Sequence, residues 1–152
     1  VVAGHAPGFD AHRGEQAHGR GLAVRAGDQR GGHGLESGEV EVRVRLIERD
    51  DQTFLAWARD RYACVIFNLH VEHTPAAIDA AAAAFRDLID LGIQHGGSYY
   101  LTYHRWARKD QVERCYPQFA DFLALKRRHD PDELFQSNWY RHYRTMFGTS
   151  AL

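Results

Sequence analysis

The clearest hydrophobic pattern in the chain is an alternation of apolar and charged residues over positions 39–46, with valine or leucine at each even position. Successive side chains of a β-strand point to opposite faces, so this period of two predicts a strand with one buried face. A second strand is predicted at Tyr62–His73, where β-branched and aromatic residues are at first apolar on both faces. That composition is typical of an inner strand covered on two sides.

A helix is predicted between this strand and the next one. Thr74 and Pro75 provide a cap followed by proline at the first helical position. Apolar residues then recur at helical spacing, and Gly96 with Gly97 ends the helix, because glycine adopts the left-handed conformation of a helix cap. An aromatic strand, 99–104, is predicted to follow. Strand, helix and strand form a crossover unit, so the predicted fold class is α+β, an antiparallel or mixed sheet layer covered by helices.

Shorter helices are predicted on both sides of this unit. Asp50 and Asp51 can cap one before the second strand. Another begins near Gln111, is interrupted at Pro117, and continues to the stop at Asp130, which is followed by proline.

Residues 1–38 show neither the period of two that is typical of a strand nor the helical period of about 3.6. They hold ten of the 14 glycines and few large apolar side chains. Such a segment cannot bury enough apolar surface to offset its ordering entropy, so it is predicted to be disordered. The predicted organisation is a disordered Gly/His-rich segment at 1–38, a folded part at 39–147 and a tail at 148–152.

Composition excludes several classes of partner. The formal net charge is −1, and between Arg105 and Arg144 nine basic residues face six acidic ones, so no nucleic-acid partner is predicted. No apolar run approaches the roughly 20 residues of a transmembrane helix, and the N-terminus lacks a secretory signal. Cys64 and Cys115 have no metal or redox spacing, so a reduced, cytoplasmic setting is the default, with a disulfide between them left open.

The last third of the chain carries a recognisable order of motifs. Gly96–Trp106 is a glycine turn leading into an aromatic run, and Lys126–Pro131 reads Lys-Arg-Arg-His-Asp-Pro, with Phe135 and Asn138 after it. The order resembles the C-terminal end of FAD-linked oxidases of the vanillyl-alcohol oxidase type, in their sugar-alcohol and aldonolactone branch. The resemblance extends over roughly residues 40 to 147 and is best at the end.

The resemblance implies that 39–147 is the C-terminal part of the substrate (cap) domain of an FAD-dependent oxidoreductase. Such an enzyme oxidises a hydroxylated substrate by hydride transfer to the flavin. The FAD-binding domain is missing from the sequence, so the chain alone is expected neither to hold FAD nor to turn over. By resemblance Arg45 faces the substrate, although Arg43 stands where the family has glutamate. His104 falls near the position of a family lysine and would act as the general base.

Further site residues are expected from the same comparison and from buried polarity. Asn68 and His70 share a strand face with apolar residues, which predicts that this face opens toward a site. Tyr103 is expected to line the substrate with them, and Asn138 and Tyr140 to lie near the cofactor. No metal site is predicted, because the N-terminal histidines lie six to fifteen residues apart without cysteine.

Two alternatives remain open at this point. Arg45 is also compatible with a solvated charge on the outer face of its strand, and His104 with a histidine satisfied by its neighbours. A different functional class, a non-catalytic α+β binding or interaction module, would use the aromatic end of the chain to contact a partner.

Overall fold

A computed structural model describes residues 2–5 and 41–148 of the chain. They form four strands and four helices, so the predicted α+β class is confirmed. The strands are β1 (Val2–His5), β2 (Glu41–Ile47), β3 (Tyr62–Asn68) and β4 (Ser98–Tyr99). The helices are α1 (Pro75–Gln94), α2 (Lys109–Cys115), α3 (Phe119–His129) and α4 (Asn138–Met146). Among these helices, none combines the length and apolarity that a membrane span requires.

The sheet has the order β2-β3-β1-β4, and all neighbouring strands are antiparallel. The predicted inner position of β3 is confirmed, because β3 lies between β2 and β1. Residues 2–5, which begin the segment predicted to be disordered, form β1. Pairing with strands on both sides supplies the backbone hydrogen bonds that local composition could not predict. The rest of that predicted segment and residues 149–152 lie outside the described residues.

Helix α1 begins and ends where the sequence predicts. The Thr74 hydroxyl accepts a hydrogen bond from the Ala77 backbone N–H at 3.2 Å, which caps the first turn. After the helix, Gly96 has φ +67°, and the Gly97 N–H donates to the Gly92 carbonyl at 2.8 Å. Glycine is favoured at this position, because it adopts a left-handed backbone conformation without a steric penalty. The helix contacts β1 and β4 on one side and α2 on the other.

The main core is an aromatic cluster centred on Tyr99. This side chain is fully buried, and its ring meets the rings of Phe85 and Tyr116 edge-on at 6.0 Å and 5.8 Å between centroids. The Tyr116 hydroxyl also donates to the Tyr99 backbone carbonyl. Phe119 and Tyr143 extend the cluster to α3 and α4, with ring centroids 4.9 Å apart. All four helices therefore pack around one short strand.

The aromatic strand is shorter than predicted. β4 ends at Tyr99, and the chain turns at 101–103. Leu101 is buried in the main core, and its carbonyl accepts a hydrogen bond from the indole N–H of Trp139 on α4 at 3.1 Å. The backbone thus leaves the sheet to meet this helix, and the predicted alternation of side chains from 99 to 104 is wrong beyond the strand.

Two other local predictions need correction. Asp50 does cap the following backbone, accepting hydrogen bonds from the N–H groups of Gln52 and Thr53 at 3.0 Å and 3.1 Å. The segment after it forms turns, however, and no helix. Helix α4 was not predicted, although Ser137 accepts a hydrogen bond from the Tyr140 N–H at 3.0 Å and is a typical N-cap.

The predicted burial of one face of β2 is also wrong. Val44 and Leu46 are 64% and 62% exposed. They lie opposite Val65 and Ala63 of β3, on the apolar side of the strand. Because α1 crosses β1 and β4 instead of β2, this apolar edge of the sheet remains uncovered by the described residues.

Gln111 provides a test of how the helices are joined. This residue is fully buried, and its side-chain nitrogen donates to the Arg86 carbonyl and to Asp90, both at 2.8 Å. Its oxygen accepts from the Arg108 N–H at 3.1 Å. Gln111→Leu removes all three bonds, so we expect urea unfolding to show a loss of about 2–3 kcal/mol.

Gln136→Leu is the matched control, because the exposed Gln136 makes one hydrogen bond, to the Glu133 carbonyl. Its free energy of unfolding should change by less than about 0.5 kcal/mol. Equal losses in both variants would show that the Gln111 bonds do not join α1 to α2.

Candidate functional site

The loop from Tyr103 to Trp106 separates two cavities. One, the polar cleft, has a volume of about 670 Å³ and is lined by Tyr103, His104, Arg105, Trp106, Asn138 and His142. The other, the apolar groove, has a volume of about 770 Å³ and lies between α1 and the segment after β3. Its apolar wall includes Phe67, Ile78, Phe85 and Leu88. His104 and Trp106 line both cavities, so they form the wall between them.

Aromatic contacts fix this wall. The His104 imidazole stacks on the Trp106 indole at 4.1 Å between centroids, with the planes 3° apart. Phe85 of α1 meets both rings edge-on, at 6.0 Å and 5.9 Å. The Arg86 guanidinium donates to the Trp106 carbonyl at 3.4 Å, which ties the loop to the same helix. The orientation of the imidazole is therefore set by packing.

Partial burial changes the protonation of His104. Removal of water from its stacked face lowers the pKa of this histidine below its ordinary value. This shift favours the neutral form of the imidazole. In that state one ring nitrogen can accept a proton, as a general base requires.

His142 lies on α4 across the polar cleft. Burial lowers the pKa of His142, and the nearby positive charge of Arg105 lowers it further. Its ring nitrogen Nε2 is buried and has no hydrogen-bond partner among the described residues. The polar cleft thus combines one guanidinium with two imidazoles whose pKa values are both lowered.

Several predicted site residues do come together here. His104 and Tyr103 of the loop line the polar cleft together with Asn138, the first residue of α4. His70 lies elsewhere, on the apolar groove, where His104 forms part of the opposite wall. The structure therefore brings together residues from the turn after β4, the start of α4 and the segment after β3.

Arg45 and Asn68 are not part of this constellation. β2 and β4 are opposite edges of the sheet. Arg45 lies opposite Cys64, which packs with Ala58 and Tyr62 beneath Trp57. The Ser98 hydroxyl donates a hydrogen bond to the Trp57 carbonyl, so Trp57 and the Ser98 side chain lie on the same face of the sheet. Tyr99, the next residue of β4, points to the other face, where it contacts Phe85 of α1. Arg45 therefore lies on the sheet face opposite α1.

Asn68 ends β3, where it lies opposite Glu41. Side chains that lie opposite each other in two paired strands share a face of the sheet, so Asn68 lies on the same face as Glu41. Every second side chain of a strand points to the same face, so Glu41 and Arg45 share it as well. Asn68 therefore lies on the same face as Arg45. The two residues do not line either cavity with His104. The structure separates the two predicted catalytic residues, Arg45 and His104.

Tyr140 is also directed away from the polar cleft. The side chain is buried, and its hydroxyl donates to the Glu133 carboxylate, while the Lys126 ammonium lies 4.3 Å above its ring. Tyr140 thus anchors the loop between α3 and α4. This contact gives it a structural role that the resemblance did not suggest.

Sequence reasoning missed three lining residues: Arg105, Trp106 and His142. If the strand had continued, the side chains of His104 and Arg105 would have pointed to opposite faces of the sheet. The turn at 101–103 ends the strand, and both residues line the polar cleft. His142 could have been found, because Ser137 predicts a helix start and residues four apart share a helix face. Asn138 and His142 have that spacing.

Potential metal ligands and cysteines also occur in the described residues. No group of three or more potential metal ligands occurs in the part of the chain that the structure describes. Cys64 and Cys115 are free and buried, so the two do not form a disulfide. Burial raises the pKa of Cys115 to about 11, which keeps its thiol protonated.

The described residues contain no glycine-rich loop at the N-terminus of a helix. A pyrophosphate is usually held by a glycine-rich loop at a helix N-terminus. The caps of α1, α2 and α4 are Thr74, Arg108 and Ser137, and the glycine pair at 96–97 instead follows the end of a helix.

Comparison with known proteins adds no family to this picture. Searches against family models, curated proteins and solved structures found no match to the chain. The functional assignment therefore depends on the geometry of the cavities and on the motif resemblance.

The protonation of His104 can be tested by NMR titration of its imidazole. We expect a pKa below the ordinary value of about 6.5, and Trp106→Ala should raise it toward that value by exposing the stacked face. Because folding disfavours the protonated ring, His104 should lower stability as pH falls from about 6.5 through its folded pKa. The loss of folding stability at low pH should be smaller in Trp106→Ala.

Tyr103→Ala is the control for this titration. Tyr103 is adjacent in sequence and 67% exposed, and it contacts the ring of Tyr100. The pKa of His104 should be unchanged in this variant. A wild-type histidine that titrates at or above 6.5 would contradict the desolvation of the ring.

Proposed function

We propose that the chain supplies part of the substrate domain of an FAD-dependent oxidoreductase that oxidises a hydroxylated substrate, a CH–OH donor. The main support is the polar cleft, in which the neutral imidazole of His104 is held beside Arg105 and Asn138. The motif resemblance of the chain end supports the same reaction class. In this proposal the cleft replaces the site of Arg45 and His104 that the resemblance suggested.

Each lining residue has a role that follows from its chemistry. His104 accepts the proton of the substrate hydroxyl, and its stacking on Trp106 holds the ring ready for that transfer. Arg105 stabilises negative charge that develops on the substrate oxygen. Tyr103 and Asn138 offer hydrogen bonds that orient further hydroxyl groups. FAD, bound by a separate domain, would take the hydride from the substrate carbon.

Uncovered apolar side chains support contact with such a domain. Leu134 and Phe135 are 78% and 80% exposed, in the loop between α3 and α4. Their N–H groups donate to the Asp130 carboxylate at 2.9 Å and 3.0 Å, and Lys126 pairs with the same carboxylate. A fixed loop that holds two apolar side chains in water is typical of a docking surface.

The same loop favours a second candidate function. A non-catalytic interaction module would also present Leu134 and Phe135 to a partner, but it would have no use for a neutral histidine in a polar cleft. Binding of small hydroxylated molecules at His104 therefore distinguishes the two functions.

The proposal can be tested by titrating the 152-residue chain with xylitol and with an aldonolactone, while the imidazole resonances are followed by NMR. We expect millimolar binding that shifts the His104 signals. His104→Ala removes about one hydrogen bond, roughly 1 kcal/mol, and should weaken binding about fivefold. His129→Ala, at the exposed end of α3, is the control and should bind as the wild type does.

A chain whose His104 signals respond to no hydroxylated compound would overturn the proposal. A parallel titration with FAD checks the division between domains. We expect the chain not to retain FAD through gel filtration, and stoichiometric retention would contradict the assignment of FAD to a separate domain.

A further inference from the structure

The polar cleft carries a net positive charge. Its six lining residues include the guanidinium of Arg105 and no carboxylate. A cavity of one sign attracts ligands of the opposite sign. Before its hydroxyl is deprotonated, a neutral polyol carries no charged group that could pair with this guanidinium.

Arg105 differs from several neighbouring arginines in its pairing. Arg108 bonds Asp90 at 3.1 Å and also bonds Asp110, and Arg144 pairs with Glu133. For Arg105, the described residues provide no carboxylate within ion-pair distance. Its guanidinium therefore retains the planar set of donors that binds carboxylate or phosphate in bidentate fashion.

A second observation comes from His142 on the other side of the cleft. Buried polar atoms almost always have hydrogen-bond partners, yet Nε2 of His142 has none among the described residues. Arg105 and His142 line the same cavity. An anionic group bound beside Arg105 would favour the protonated form of the His142 imidazole through its charge.

We propose that the polar cleft binds an anionic oxygen group, a carboxylate or a phosphate, on the substrate that is oxidised. This inference rests on the proposed function, in which His104 faces the hydroxyl. Arg105 and His142 would then hold the anion, and Asn138 would lie at the mouth of the same cavity. The substrate class is accordingly an acid-bearing polyol, such as an aldonate or a polyol phosphate, and not a neutral sugar alcohol.

Three six-carbon probes of matched shape test this inference: sorbitol, gluconate and sorbitol 6-phosphate. Each is titrated into the 152-residue chain by NMR at low and at high NaCl concentration. We expect at least one anionic probe to bind ten or more times tighter than sorbitol at low salt, with the difference shrinking at high salt. The tighter of the two anionic probes identifies the preferred group.

Substitutions assign the preference to the cleft. Arg105→Gln should reduce the anionic preference, the ratio of the sorbitol dissociation constant to that of the anionic probe, at least fivefold. Arg105→Lys should keep part of this preference. Arg128→Gln, on the exposed end of α3, is the charge-matched control and should keep the full anionic preference. The wild-type pattern of imidazole signals verifies the fold of each variant.

The possible failures are distinguishable. If sorbitol binds as tightly as both anionic probes, the anion inference is overturned while the proposed oxidation site stands. If none of the three probes shifts the His104 signals, the proposed function is overturned together with the inference. Equal loss of preference in the Arg105 and Arg128 variants would indicate general charge attraction and would also overturn the inference.

Discussion

The burial of Tyr99 is the contact on which the rest of the structure depends. β4 has only two residues, and a strand of that length cannot hold its position by backbone pairing alone. The Tyr99 side chain instead lies between Phe85 of α1 and Tyr116 after α2, and the Tyr116 hydroxyl donates to its backbone carbonyl. An aromatic side chain buries about 150–250 Å², so this residue joins the sheet to the helices.

The site follows from this anchor. Because the backbone is fixed at Tyr99, the chain must turn at 101–103, where the Leu101 carbonyl accepts from Trp139 of α4. The turn places His104 and Arg105 next to the start of α4, and the stack of His104 on Trp106 closes the wall between the two cavities. The loop that carries the proposed chemistry thus lies directly on the core, which limits the conformations available to it.

Local sequence signals predicted the parts of the fold that depend on local interactions. Thr74 and Gly96 marked the two ends of α1 because capping and left-handed backbone involve few neighbouring residues. The alternation in β2 predicted the strand but not its uncovered face, since the path of α1 over β1 and β4 is a long-range property. For the same reason, the motif resemblance could suggest Arg45 and His104 as site residues but could not show that the sheet separates them.

The most direct test of this structure is the backbone mobility of the loop at 102–107 in the free protein, measured as ¹⁵N NMR order parameters. If the aromatic cluster centred on Tyr99 fixes the loop, these amides should have order parameters of about 0.85, as in α1. Values below about 0.6 would describe a flexible loop. In that case the polar cleft would not be a preformed site, and both functional proposals would lose their structural basis.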